Sequence, residues 1–186
     1  YRNTLASNSE ELQRLARMVS DMLFLAKADR GIALPNPENL ELSEEVFALF
    51  DFYEAVAEDL GIELRVEGHG QVFGDRLMIR RAISNLLSNA LRYAEKNTKV
   101  TVAVVATERE VTLSVSNKGT PIGREHLSRL FDRFYRVDKA RTYAEGGTGL
   151  GLSISKRLAE MMGGKVGVAR RGLHLCMSEQ FADDGQ

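Results

Sequence analysis

The chain has 186 residues, 44% of them hydrophobic, enough for one real core with a small appendage. A net charge of −1 and a pI near 6.4 exclude the basic excess of a nucleic-acid binder. Cys176 is the only cysteine, so the sequence holds no disulfide framework and no Cys/His metal cluster, and no apolar run reaches the ~18–20 residues that cross a membrane. That cysteine usage fits a reducing compartment. The opening residues carry no signal-peptide pattern and begin in mid-helix, which reads as a fragment of a longer protein.

Residues 4–29 predict one amphipathic helix. Leu5, Leu12, Val19 and Ala26 recur every seven residues, with Leu15 and Met22 between them, a heptad seam interrupted by Asn8 and Asp29. Leu23, Phe24 and Leu25 widen the stripe in the manner of a bundle helix. One such helix has nothing of its own to pack against, which implies a partner helix or a dimer; docking on the following domain is the alternative. Gly31, Pro35 and Pro37 end it and mark a linker over 31–38.

A short strand at 39–42 follows, then a helix to 60 with Ser43 as N-cap, Glu44 and Glu45 in its first turn and Gly61 closing it. Residues 62–67 alternate as a half-buried strand, and 68–70 (GHG) form a turn. Asp75 caps a helix over 76–95 whose buried face is Leu77, Ile83, Leu86, Leu87, Ala90 and Leu91. Strands at 98–107 and 110–117 pair across a turn at 108–109. A helix at 124–131 leads into a polar stretch, 132–147, and a helix at 149–162 ends at Gly163 and Gly164, with strands after it. This order predicts a two-layer α/β (α+β) sandwich, one mixed sheet with helices on one face.

Three stretches carry chemistry. Asn85 and Asn89 are spaced i, i+4 on the apolar helix 76–95, so both amides share one face. Amide carbonyls are neutral oxygen donors suited to Mg²⁺ or to water around a phosphate, and Arg92 and Tyr93 add a cation and an aromatic plane. Two solvated asparagines are the plainer reading, which the second stretch disfavours. Residues 146–152 (GGTGLGL) open a helix; glycines at 147, 149 and 151 let N–H groups crowd an anion at a helix N-terminus. They form no Walker loop, because no Lys-Ser/Thr follows, and no dinucleotide fingerprint, because no strand leads in. In the third stretch, Asn117 ends a strand and can read a base edge, with Gly119 allowing close approach and Ile122 forming a wall. Phe131 and Phe134 read as core packing that anchors a lid spanning 135–147, which contains Arg136, Lys139 and Arg141.

In order and spacing, these boxes resemble the sensor histidine kinase catalytic domain, part of the ATP-binding superfamily that includes gyrase B, Hsp90 and MutL. The resemblance covers about 40–168. Residues 11–29 resemble the second helix of a dimerisation and phosphotransfer domain, and with FDRFYRVD their wording is similar to heavy-metal (copper/silver) sensor kinases. The implied organisation is a truncated dimerisation helix over 1–30, a catalytic domain over 39–178 and a disordered tail over 179–186. The resemblance implies ATP as substrate with Mg²⁺ held by Asn85 and Asn89, Arg92 reaching a phosphate and Tyr93 lying against the nucleotide. Asn117, Gly119 and Ile122 would form the base pocket, Arg133 and Arg136 would flank the lid, and Gly147, Thr148, Gly149, Leu150 and Gly151 would wrap the triphosphate. The implied reaction moves the γ-phosphoryl to a histidine for relay to a response regulator receiver domain, in a homodimer joined through helix 4–29. The implied location is the cytoplasmic part of a bacterial inner-membrane protein.

The sequence departs from that pattern in three places. Asn117 stands where an aspartate usually accepts the adenine amino proton, and Pro121 replaces the second glycine of that box. His69, His126 and His174 do not fit an acceptor motif, so the acceptor is expected upstream of the chain. After 166–169 the usual Gly-x-Gly-Thr turn is missing, which leaves the last strand in doubt. Two other classes compete: a water-activating ATPase, which would carry glutamate at the position of Asn85, and a non-catalytic nucleotide-binding module.

Overall fold

The computed structural model describes residues 12, 15, 16, 18–26, 36–137, 148–169 and 172–178. Expectations for the other residues, including Gly147, Lys139, Arg141 and the tail over 179–186, lie outside the described residues.

Eleven elements follow the N-terminal helical segment among the described residues: β1 (Pro37–Glu41), α1 (Leu42–Leu60), β2 (Glu63–Gly68), β3 (Gln71–Asp75), α2 (Arg76–Tyr93), β4 (Lys99–Ala106), β5 (Glu110–Asn117), α3 (Arg124–Leu127), α4 (Gly151–Met161), β6 (Lys165–Ala169) and β7 (Gly172–Ser178). The main sheet has the order β2-β4-β5-β7-β6; β2 and β4 run parallel and every other pair is antiparallel. The mixed sheet is as expected. The expected single sheet is corrected, because β1 and β3 form a separate antiparallel pair that places Leu40 opposite Val72. That pair was missed because β3 (QVFGD) reads as a turn exit before the Asp75 cap.

Period-two alternation explains the layers. Val100, Val102 and Val104 of β4, Val111, Leu113 and Val115 of β5, and Leu175 and Met177 of β7 are buried together with the inner faces of α1, α2 and α4. Between them Thr101, Ala103, Thr112, Ser114 and Ser116 are half-buried on the other face. The doubtful last strand forms: β7 inserts between β5 and β6 because Leu175 and Met177 keep the inward register that the missing turn motif would have signalled.

Several boundaries move, each for a local reason. Helix α1 starts at Leu42, and its N-cap is Glu41, not Ser43; Glu41 accepts from Ser43 N–H at 3.4 Å, while buried Leu42 donates its N–H to Gly70 O at 2.9 Å. Leu77 is 76% exposed, since it faces away from the Ile79–Ile83–Leu86 side of α2. The expected helix 124–131 lasts one turn, and Arg129, Asp132 and Tyr135 then each donate to the carbonyl three residues back, a run of tight turns in place of a helix.

Helical residues 18–26 dock on the sheet-and-helix unit by one edge: Leu25 is buried, Asp21 Oδ1 accepts from Arg81 at 2.6 Å, and the Arg81 guanidinium lies 4.5 Å from the Phe24 ring centre. Leu12, Leu15, Val19 and Met22, the heptad line, remain exposed.

Candidate functional site

The N-terminal half of helix α2 is fixed by three sets of contacts. Asp75 accepts from Met78 N–H at 3.0 Å and from Asn36 N–H at 3.3 Å, closing the N-terminus. Buried Glu45 of α1 binds both Arg76 and Arg80 in the first turns of α2. Further along, the Tyr53 hydroxyl meets Ser84 Oγ at 2.8 Å. Sequence reasoning placed Glu45 only as an acid in the first turn of its helix. The available signal was the pair of arginines at 76 and 80, one turn apart on the neighbouring helix.

Asn85 and Asn89 are both half-buried on α2, one turn apart. Asn85 Nδ2 donates to Gly151 O at 3.1 Å, so the asparagine helix and the glycine run are hydrogen-bonded to each other. That bond orients the amide and leaves Oδ1 as its remaining acceptor. Ser155 Oγ lies 3.1 Å from the same Gly151 carbonyl and 3.2 Å from Ala82 O, and Ser153 Oγ donates to Leu150 O at 2.8 Å. Both serines are buried, and sequence reasoning missed them; serine inside an otherwise apolar helix was the signal.

Helix α4 begins at Gly151 instead of 149. Gly149 has φ +71° and so cannot be a helical residue, and Leu150 N–H is taken by Thr148 Oγ1 at 3.3 Å. Gly149 also accepts from Phe134 N–H at 2.9 Å, and a Cβ there would meet Phe134 Cα and C at 3.0 Å. The phenylalanine and glycine boxes are therefore in backbone contact on either side of 138–147. Phe134 is 50% exposed with φ +64°, which corrects its assignment to the core; its backbone, not its ring, does the anchoring. Arg136 lies against Gly149, its Cγ 3.3 Å from the same Cβ position.

At the other end of α2, a Cβ on Gly119 would fall 2.1 Å from Tyr93 O and 3.0 Å from Asn117 Nδ2. Only glycine permits that approach, and Glu95 N–H donates to Lys118 O at 2.8 Å beside it. Asn117, Gly119 and Tyr93 thus form one cluster, with Arg92 half-buried next to Tyr93. Ile122 is exposed beyond it. Arg133 goes elsewhere, lining a cavity of about 230 Å³ with Leu25, Phe131, Lys156, Arg157 and Glu160.

Two clusters joined through one helix, with the half-buried Asn85 amide bonded to a glycine-rich helix start, suit a phosphorylated ligand lying along α2. A family model described as "Histidine kinase-, DNA gyrase B-, and HSP90-like ATPase" matches residues 74–180. The chain belongs to this family. Sensor histidine kinase CusS of Escherichia coli K12 is 52% identical over 167 residues, 89% of this chain and 35% of that protein. The probable sensor protein PcoS of Escherichia coli is 41% identical over 184 residues, 99% of this chain and 40% of that protein. Among solved structures, the nucleotide-free catalytic domain of histidine kinase ThkA aligns with a TM-score of 0.66 at 26% identity, covering 76% of this chain and 98% of that one. The chain therefore spans little more than a third of the length of these sensor relatives, and it holds the ATPase-like domain of the family. No helix among the described residues is long and apolar enough to cross a membrane.

Proposed function

We propose that this chain is the ATP-binding catalytic portion of a metal-responsive sensor histidine kinase. It transfers the ATP γ-phosphoryl to a histidine outside the chain, and a response regulator receives the phosphoryl from there. The observation that carries the reading is the Asn85–Gly151 hydrogen bond, which joins the amide pair to the phosphate-type glycine turn.

In this reading Asn85 Oδ1 and Asn89 face Mg²⁺. The donor chemistry fits: Asn85 has its N–H group committed to Gly151, and the Asn89 amide has no partner among the described residues. Neutral carbonyl oxygens suit a hard cation that keeps several waters and shares the phosphates; when bound, the ion neutralises charge on the transferring phosphoryl. Thr148, Gly149, Leu150 and Gly151, with Gly147, surround the triphosphate, Arg92 and Arg136 add positive charge, and Tyr93, Asn117, Gly119 and Ile122 take the nucleoside. Arg133, with Arg136, flanks the lid. Asn85 holds no proton-accepting group at neutral pH, which favours transfer to a histidine over water activation. The exposed heptad line Leu12, Leu15, Val19 and Met22 supports homodimerisation through the N-terminal helix, and the likeness to CusS and PcoS supports a membrane-anchored metal sensor.

The test mixes the chain with a separately produced dimerisation domain bearing an acceptor histidine, plus γ-labelled ATP and Mg²⁺. Acid-labile label on the acceptor and none on the chain alone is expected. ATP binding without transfer, or robust acid-labile labelling of the chain alone, overturns the reading.

A further inference from the structure

We propose that Asn117 opens the base pocket to 6-oxo purine nucleotides as well as to ATP. The proposal rests on the reading of Asn117 as the side chain that faces the base. Asn117 closes β5 opposite Val100, is half-buried, and its amide makes no hydrogen bond to another described residue. Gly119 leaves the space beside Nδ2 empty, since a Cβ there would come within 3.0 Å of it. Glu95, whose N–H is bonded to Lys118 O, has its carboxylate 3.2 Å from Lys118 Nζ and so is paired with that cation.

The hydrogen-bonding inventory then decides specificity. Adenine presents an amino donor at position 6 and an acceptor at N1; a 6-oxo purine presents an acceptor and an N1–H donor, the reverse pair. A carboxylate only accepts, so held against position 6 it binds the amino group and repels a 6-oxo oxygen, and it can meet a 6-oxo purine only by shifting onto N1–H. An amide carries one donor group and one acceptor. With Oδ1 toward the amino group and Nδ2 toward N1 it satisfies adenine; after a half-turn about Cβ–Cγ it satisfies the 6-oxo edge equally. No hydrogen bond to another described residue opposes that half-turn. The amide therefore forgoes the charge-assisted bond to adenine and in exchange tolerates both edges.

Inosine triphosphate is the probe, because it differs from ATP only at this edge. The 186-residue chain and its Asn117→Asp, Asn117→Ala and Asn117→Ser variants are titrated with ATP and with inosine triphosphate in Mg²⁺, each first checked for an unchanged melting profile. The inosine-to-ATP ratio of dissociation constants is expected to rise by about tenfold or more in Asn117→Asp relative to the natural chain, the difference between a neutral pair of bonds and a charge-assisted bond facing repulsion. In Asn117→Ser, whose hydroxyl both donates and accepts, the ratio stays near that of the natural chain. An unchanged ratio in Asn117→Asp, or a serine variant that discriminates like aspartate, overturns the proposal. If Asn117→Ala weakens both nucleotides while Asn117→Asp leaves the ratio alone, the base-facing role stands and only the 6-oxo tolerance falls. If Asn117→Ala leaves ATP affinity unchanged, the base does not lie at Asn117 and both readings fail.

Discussion

The contact between α1 and α2 contains an asymmetry that mutation can expose. Glu45 is 2% exposed, while its two partners, Arg76 and Arg80, are 41% and 38% exposed. Replacing Glu45 by Gln leaves two guanidinium groups that can turn to water, and Arg76 keeps Glu38 at 2.9 Å as an alternative partner. The cost is then close to that of weakened hydrogen bonds, about 1–2 kcal/mol. Replacing both arginines by Met keeps most of their stems but strands a carboxylate with almost no access to solvent, a loss of about 3–5 kcal/mol. Urea unfolding followed by circular dichroism at pH 7 and fixed salt separates the two, and the double variant should melt roughly 10 °C lower. A Glu45→Gln variant as unstable as the double arginine variant would refute the reasoning.

Three further outcomes are expected. Gly149→Ala forces an L residue to φ +71° and a methyl to 3.0 Å from the Phe134 backbone, so ATP affinity should fall about tenfold with a stability loss of ~1–3 kcal/mol; unchanged ATP titration would detach the glycine box from the nucleotide. Asn85→Asp removes the donor to Gly151 O and sets a carboxylate against a carbonyl, so the metal-free protein should lose ~1–3 kcal/mol and recover part of it in Mg²⁺; equal loss with and without the ion would remove Asn85 from the cation. Burial opposes ionisation of Glu41, but the N–H groups of Gly70 at 2.8 Å and of Ser43 and the Ser43 hydroxyl outweigh it and hold its pKa below the ordinary value of 4.5. A depressed carboxylate stabilises the fold above the unfolded pKa and stops doing so as pH drops through the folded one, so Glu41→Gln should flatten the acid limb of melting temperature against pH below about 4.5, and an unaltered limb would contradict it.

Most of the sheet was legible because buried residues alternate over 100–104 of β4 and 111–115 of β5, and a period of two leaves only one way to bury Val100, Val102, Val111 and Leu113. The asparagine face was equally legible, since i, i+4 spacing fixes it whatever the helix packs on. The β1–β3 pair was not, because its two strands expose most of their side chains or are interrupted by glycine, and the register depends on partners about 35 residues apart. The helix start at Leu42 depended on a backbone bond to Gly70, a tertiary contact with no local sequence mark. Phe134 misled for a related reason: an aromatic between charged residues reads as an anchor, but its positive φ goes with a backbone bond to Gly149 on the far side of the 138–147 segment. The serines at 153 and 155 were overlooked because each is unremarkable alone and becomes meaningful only once α4 lies along α2.

The Gly151 carbonyl gives the asparagine at position 85 a reason that sequence comparison alone does not supply. A water-activating ATPase needs a carboxylate there as proton acceptor. In this fold the same position must also donate a hydrogen bond across to α4, and an ionised carboxylate has no proton to donate. An amide meets the second demand and forfeits the first. One side chain thereby ties α2 to the glycine turn, leaves Oδ1 as its remaining acceptor toward a cation, and withholds general-base chemistry from water. Buried Ser155 strengthens the arrangement, because its hydroxyl lies at 3.1 Å from the same carbonyl and at 3.2 Å from Ala82 O on α2. In the proposed reading, the junction that aligns the glycine turn with the asparagine face is therefore also what steers the site away from hydrolysis and toward an acceptor brought in from outside.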